Sequence, residues 1–443
     1  DSGNLNINST DSVQLLENTG LESTRPTFLS SSIASTTYGD GNAGSIELST
    51  SELRVTSGGS VTSTTLGSGQ GGGVNITSDI VEVGGIEPIR KTTSAISSAS
   101  VNSGNAGNLT ITTGQLKVAD GGTVSTSSFG IGNAGNLTIN SSQSVELNGG
   151  ESSPTSIRSA VVPLTPETQR ERLGVPDVPT GNAGNLRINT PVLNISQEGT
   201  ISVENQGTGS SGTLTINADN LDLDTSGKIT AAAASGNGGN IELNSQNLQL
   251  ETGSQITAEA NNDSDGGNIT INTTNLTAKK NNQITASANE GDGGNIILNA
   301  DSVSLNDRDE ISAASSSGDG GNININTDIL TALEQSRITA NAVTGDGGNI
   351  TINTRGYFVS EDSVVSASSE FGQTGTININ SLENNFQQYL ENPEVKVAII
   401  PDFFIPRCAN PDRAYLTLFP GDVLRESPDN YYSYPSQTDT DVV

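Results

Sequence analysis

A five-residue turn motif, Gly-Asn-Ala-Gly-Asn or Gly-Asp-Gly-Gly-Asn, recurs along this 443-residue chain, each time followed by apolar residues at alternate positions. Its last residue falls at Asn240, Asn268, Asn295, Asn322, Asn349 and Thr376, at intervals of 28, 27, 27, 27 and 27. Upstream the same position is held by Asn108, Asn136, Asn185 and Thr213, and in looser form by Asn4, Ser45 and Val74, which makes thirteen occurrences. A fixed period of this length marks a repeat architecture, in which each unit buries its apolar face only by stacking on its neighbours.

Within a unit the apolar residues keep fixed offsets. After Asn240 they are Ile241 and Leu243, then Leu248 and Leu250, then Ile256 and Ala258. After Asn295 the set is Ile296, Leu298, Val303, Leu305, Ile311 and Ala313; after Asn322 it is Ile323, Ile325, Leu330, Ala332, Ile338 and Ala340. A spacing of two puts each pair on one face of a strand, so a unit holds three short strands, and helix is excluded. Stacked units give three parallel sheets around one narrow interior: an all-β, right-handed parallel β-helix (β-solenoid) of about 13 coils of ~27 residues. At ~4.8 Å per coil the rod is roughly 60 Å long.

Composition agrees. Fifty-one glycines, 3% aromatic residues and no Trp, Met or His leave no material for large globular cores. The turn glycines suit positions of positive φ. With no Met even at position 1, a processed or excised chain is expected. The formal charge of −30 repels nucleic acid and anionic membranes. One cysteine, Cys408, allows no internal disulfide.

The repeat domain is expected over 1–380, lengthened by loops at about 18–35 and 150–180. The second is proline-rich, and Thr165-Pro166-Glu167 predicts a helix start. From 381 the composition changes: Phe386, Tyr389, Phe403, Phe404, Tyr415, Phe419, Tyr431, Tyr432 and Tyr434 are nine of the chain's fifteen aromatics. Residues 381–426 are expected to form a C-terminal cap over the last coil's open edge, and 427–443 a flexible tail.

The units Gly104 to Ile111 and Gly132 to Ile139, with the Ser/Thr-rich strand Val124 to Phe129, resemble the repeat region of haemagglutination-domain exoproteins. These are similar to filamentous haemagglutinin, belong to two-partner secretion systems and are plentiful in cyanobacteria. The resemblance covers about 1–380. It implies a secreted or cell-surface β-helical adhesin, extracellular or on the outer cell surface, exported through an outer-membrane secretion pore. The N-terminal secretion domain of that family is not visible here.

The expected function is attachment to cells, matrix or polysaccharide without catalysis, through an extracellular carbohydrate or protein ligand or through self-association. The alternative is a structural stalk or extracellular lattice component. Asp265, Asp292, Asp319 and Asp346 occupy equivalent turns and stack at one coil rise, where a calcium column would relieve their repulsion. Against it, Asn42, Asn105, Asn133, Asn182 and Asn237 hold the same turn position without charge, so turn chemistry suffices and no cofactor is required. Asn8, Asn108 and Asn268 match a glycosylation pattern that Asn-rich strands generate automatically.

The alternative from another class is an enzyme acting on polysaccharide. Lys279, Lys280, Asp307, Arg308, Asp309 and Glu310, at neighbouring turns between second and third strands, form the one charged patch where such chemistry would sit. Turn residues of this kind are ordinarily solvated. With no His, no reactive thiol and no metal-ligand cluster, no catalytic or cofactor-binding residue is assigned.

Overall fold

A computed structural model describes residues 1–16, 31–87, 91–150, 154–262 and 264–381. The chain divides into two units, Asp1–Gln387 and Gln388–Val443. The expected cap and tail, with Cys408, lie outside the described residues, as does most of the loop expected at 18–35.

The first unit is a right-handed parallel β-helix of twelve coils, followed by the opening strand of a thirteenth, Ile377–Ser381. The alternating pattern determines which residues enter the core. In Ile46–Thr56 the residues Ile46, Leu48, Leu53 and Val55 are buried while Glu47, Ser49 and Arg54 face outward. Equivalent residues then pair coil upon coil: Leu5 with Ile46, Ile46 with Val74, Val74 with Leu109, and onward to Ile350 with Ile377. The apolar column keeps its inward phase, because a one-residue slip would turn every core side chain to solvent. This register puts Gly73, rather than Val74, at the motif position of the third coil, since Val74 itself stands in line with Ile46.

Three rows of strands are present, but they form two sheets rather than three. Among the described residues one sheet has 17 strands from the first and second rows and the other has 12 from the third. In eight coils, as at Leu109–Ala119, the first two strands run on as one through the bend. A hydroxyl holds that bend. Thr113 Oγ1 donates to the Asp79 carbonyl of the preceding coil at 3.2 Å, Thr273 to Gln246 at 3.2 Å and Thr354 to Asp328 at 3.1 Å. An inward hydroxyl so satisfied turns the ladder without leaving a buried polar group unpaired.

The motif glycines do different work from that expected. Positive φ occurs mainly at the turns between second and third rows, often on ordinary residues: Lys280 (73°), Asn281 (64°), Asp307 (62°) and Arg308 (65°). The fourth residue of the motif is Gly from Gly3 to Gly375, and from Gly44 onward, where a coil lies beneath it, it is required instead by close approach. A Cβ on Gly72 would lie 2.1 Å from the Gly44 carbonyl oxygen, on Gly294 1.9 Å from Gly267, and on Gly348 1.9 Å from Gly321. The same glycine donates its amide into the third row, as Gly294 does to Ala286 at 2.9 Å. The facing interior residue is therefore small: Ser35, Ser63 and Ser98 early in the rod, Ala258, Ala286, Ala313 and Ala340 later.

Of the span expected to leave the rod at 150–180, Ser156–Val161 is a third-row strand paired on both sides. The excursion is 162–180, and it carries the helix Glu167–Leu173. Similarly, Ser32–Thr37 belongs to the third row of the first coil. A further short excursion, missed in the sequence, follows Gly84, where Ile86 bridges Thr93 in antiparallel fashion.

Candidate functional site

The four aspartates expected to stack do so, and each has a partner. Asp265 Oδ1 accepts the Asp292 amide at 3.0 Å, Asp292 Oδ1 that of Asp319 at 2.8 Å, and Asp319 Oδ1 that of Asp346 at 2.7 Å; Asp346 Oδ1 accepts the Gln373 amide at 2.7 Å. Asn42, Asn105, Asn133 and Asn182 make the same bond one coil onward at 2.8–2.9 Å. Carboxylate and carboxamide thus serve one purpose, accepting the amide of the next turn. Asn237 and the four aspartates, together with the motif asparagines and glycines, line a shallow groove of 710 Å³ over Asn237–Asn349. Among the described residues no group of three or more Asp, Glu or Cys converges in a way that could hold a metal ion.

The fold takes one member, Asp309, out of the charged patch and leaves Lys279 and Lys280 exposed on the coil beside Asp307 and Arg308, Lys279 in register with Asn306. Arg308 Nε donates to Asp307 Oδ1 at 3.2 Å on the surface. Asp309 turns inward and is 1% exposed. Its Oδ1 accepts the Asn282 backbone and side-chain amides at 2.8 and 2.9 Å, and its Oδ2 accepts the Asn306 amide at 2.8 Å. Ser254, Asn282 and Ser336 occupy the same buried position in neighbouring coils, so Asp309 is a turn-locking residue.

Burial pushes the Asp309 carboxyl above its ordinary value despite these amide donors, with the nearby Asp307 charge adding to the rise. Burial also raises Asp222, beside Glu251, and Glu259. A carboxyl raised in the folded state binds protons more tightly there than in the unfolded chain. Stability therefore climbs as pH falls from neutral through the raised values toward the ordinary one near 3.8–4.5, and is lost again on the way up. Urea midpoints are expected to be higher at pH 5 than at pH 7. Asp309→Ser, which installs the residue found at 254 and 336, should flatten that slope; an unchanged slope would show that Asp309 does not contribute.

The sequence did not point to a second groove, which follows the bend between first and second rows. One stretch of 810 Å³ runs from Ser9 to Pro191 and another of 450 Å³ from Thr190 to Gln246, sharing Thr190 and Pro191. One wall is the aligned series Ser49, Thr77, Thr112, Asn140, Asn189, Asn217 and Asn244. From Asn140 this wall continues as a ladder of nine carboxamides ending at Asn380, in which each Nδ2 after the first donates to Oδ1 of the preceding coil at 2.7–2.9 Å. The opposite wall holds Ser51, Asp79, Gly114 and Pro191, and a register shift between Asn140 and Ser144 brings Ser142 and Gln143 into it.

No family model, curated protein or solved structure matches the chain. Among the described residues no helix is long and apolar enough to cross a membrane.

Proposed function

We propose that this chain is a non-catalytic attachment protein of the extracellular space or outer cell surface, whose rod presents one polar binding surface many times over. The observation that carries the reading is the bend groove. Its walls bring short hydroxyl and carboxamide side chains into line at the coil rise over coil after coil. Such a surface engages an extended or multivalent target through many weak contacts, which add up without any strong single one. The resemblance to filamentous-haemagglutinin-like exoproteins points the same way and supplies the export route, an outer-membrane pore.

The second reading is a structural stalk, favoured by the unbroken amide ladder from Asn140 to Asn380. Cell and glycan-array binding separates the two. The probes are the intact chain and a variant in which residues 163–179 are replaced by a single glycine. That replacement restores the spacing of the preceding coil, Phe129-Gly130-Ile131, between Val162 and Thr180. Binding by both chains is expected, which would place the target on the coils. Binding lost with the loop would move the site to 163–179, and an intact chain that binds nothing would leave the stalk.

A further inference from the structure

We propose that the groove along the bend between the first and second strand rows binds a neutral, extended polysaccharide; this rests on the attachment reading above. From Ser9 to Gln246 the groove crosses eight coils, about 34 Å at ~4.8 Å per coil. Among the described residues its charged lining is Asp79 and Asp219, with no Lys or Arg. A chain of charge −30 with such a groove repels uronate, sulfate and phosphate polymers alike.

What lines the groove matches a polyhydroxyl ligand. Ser49, Thr77, Thr112, Ser51 and Ser142 offer hydroxyls that both donate and accept. Asn189 and Asn217 each commit one N–H and one oxygen lone pair to the ladder, which fixes the amide plane and leaves the second N–H and lone pair for a ligand; Asn140 gives the ladder only its oxygen, and Asn244 divides its Nδ2 between Asn217 and Glu242. Groups held in place by their own ladder lose little freedom on binding.

An extended peptide is the poorer fit. A peptide gains affinity by adding a strand to a free sheet edge. Here the strands that flank the groove pair with coils on either side, as Leu109–Ala119 does with Val74–Gly84 and Leu137–Asn148. Among the described residues no large apolar side chain lines the groove to make pockets for peptide side chains; its apolar surface comes from Thr methyls, short side-chain methylenes, Ala218 and the Pro191 ring. No aromatic side chain among the described residues lines it, so affinity must grow with ligand length.

Affinity electrophoresis of the full chain in gels containing hydroxyethyl cellulose, xyloglucan or mannan, with alginate as the anionic polymer, tests this. The groove variant is Thr77→Arg with Thr112→Arg, two exposed and adjacent outward positions. The control is Thr62→Arg with Ser97→Arg, adjacent outward positions on the third row. Both must retain the β circular dichroism of the parent. The expected result is retardation by at least one neutral polymer and none by alginate. The groove variant should be retarded at least tenfold less, the control should match the parent, and a disaccharide of the bound polymer should fail to compete.

Equal retardation of groove variant and parent would overturn the groove assignment while leaving attachment standing, as would alginate binding as tightly as the neutral polymers. Dissociation of an oligomer by the groove variant in sedimentation velocity would give the groove to a second copy. An intact chain that binds neither polymer nor cell would remove both proposals.

Discussion

Gly294→Ala will destabilise the rod by about 4 kcal/mol, the scale of the severest single substitutions. The added Cβ would sit 1.9 Å from the Gly267 carbonyl oxygen and 2.7 Å from its carbon, backbone atoms that no rotamer change can move. The only relief is to push neighbouring coils apart. That would stretch the bond from the Asp292 amide to Asp265 and draw the Gly294 amide away from Ala286. Because a solenoid's stability is a sum of coils and their interfaces, the loss should be local. Hydrogen exchange is expected to show lost protection in the coils around Gly267, Gly294 and Gly321, with the coils near Val74 unaffected. Gly39→Ala is the control: no atom lies within 4 Å of its Cβ, and the change should stay within about 0.5 kcal/mol. Equal effects at the two sites would mean that the glycine column is not a packing constraint.

Asn282→Ala should cost about 3 kcal/mol, for a different reason. The side chain is 1% exposed, and its Nδ2 donates to the Leu250 and Lys279 carbonyls at 3.0 and 2.7 Å and to Asp309 Oδ1 at 2.9 Å. Its Oδ1 accepts the buried Ser254 amide at 2.9 Å. Alanine leaves that amide without its acceptor and takes one donor from a buried carboxylate, and each such orphan costs roughly 1–3 kcal/mol. Asn282→Ser, which places at 282 the residue found at 254 and 336, should recover about half the loss. If urea denaturation shows both substitutions within about 1 kcal/mol of the parent, the turn network does not stabilise the stack.

The strands and the core were legible from the sequence because a spacing of two is a direct record of burial: Ile241, Leu243, Leu248 and Leu250 are all buried as the pattern requires. The purpose of the glycines was not, since a turn that needs left-handed backbone and a turn that needs a missing Cβ both select glycine. The left-handed residues themselves went unseen, because Lys280 and Arg308 carry no sign of that conformation. Asp309 looked like one more solvated turn charge; its signal was the alignment with Ser254, Asn282 and Ser336 just before the third strand. The stacked aspartates were legible because residues at equivalent turns of a fixed period must stand one coil apart. The bend groove was out of reach, since outward Ser, Thr and Asn look alike in sequence until the corner of the sheet is located.

The stacking of backbone on backbone also determines how the rod answers to force. Strands lie across the long axis, so the ladder bonds between coils point along it and a pull on the two ends puts the same tension on every interface in series. The weakest coil yields first and its neighbours keep their geometry. Each coil released adds about 90 Å of slack, from ~27 residues at ~3.4 Å each, in place of ~4.8 Å of rod. Between two tethered surfaces such a chain behaves as a stepwise damper, lengthening under a jolt and rewinding coil by coil on the template left intact.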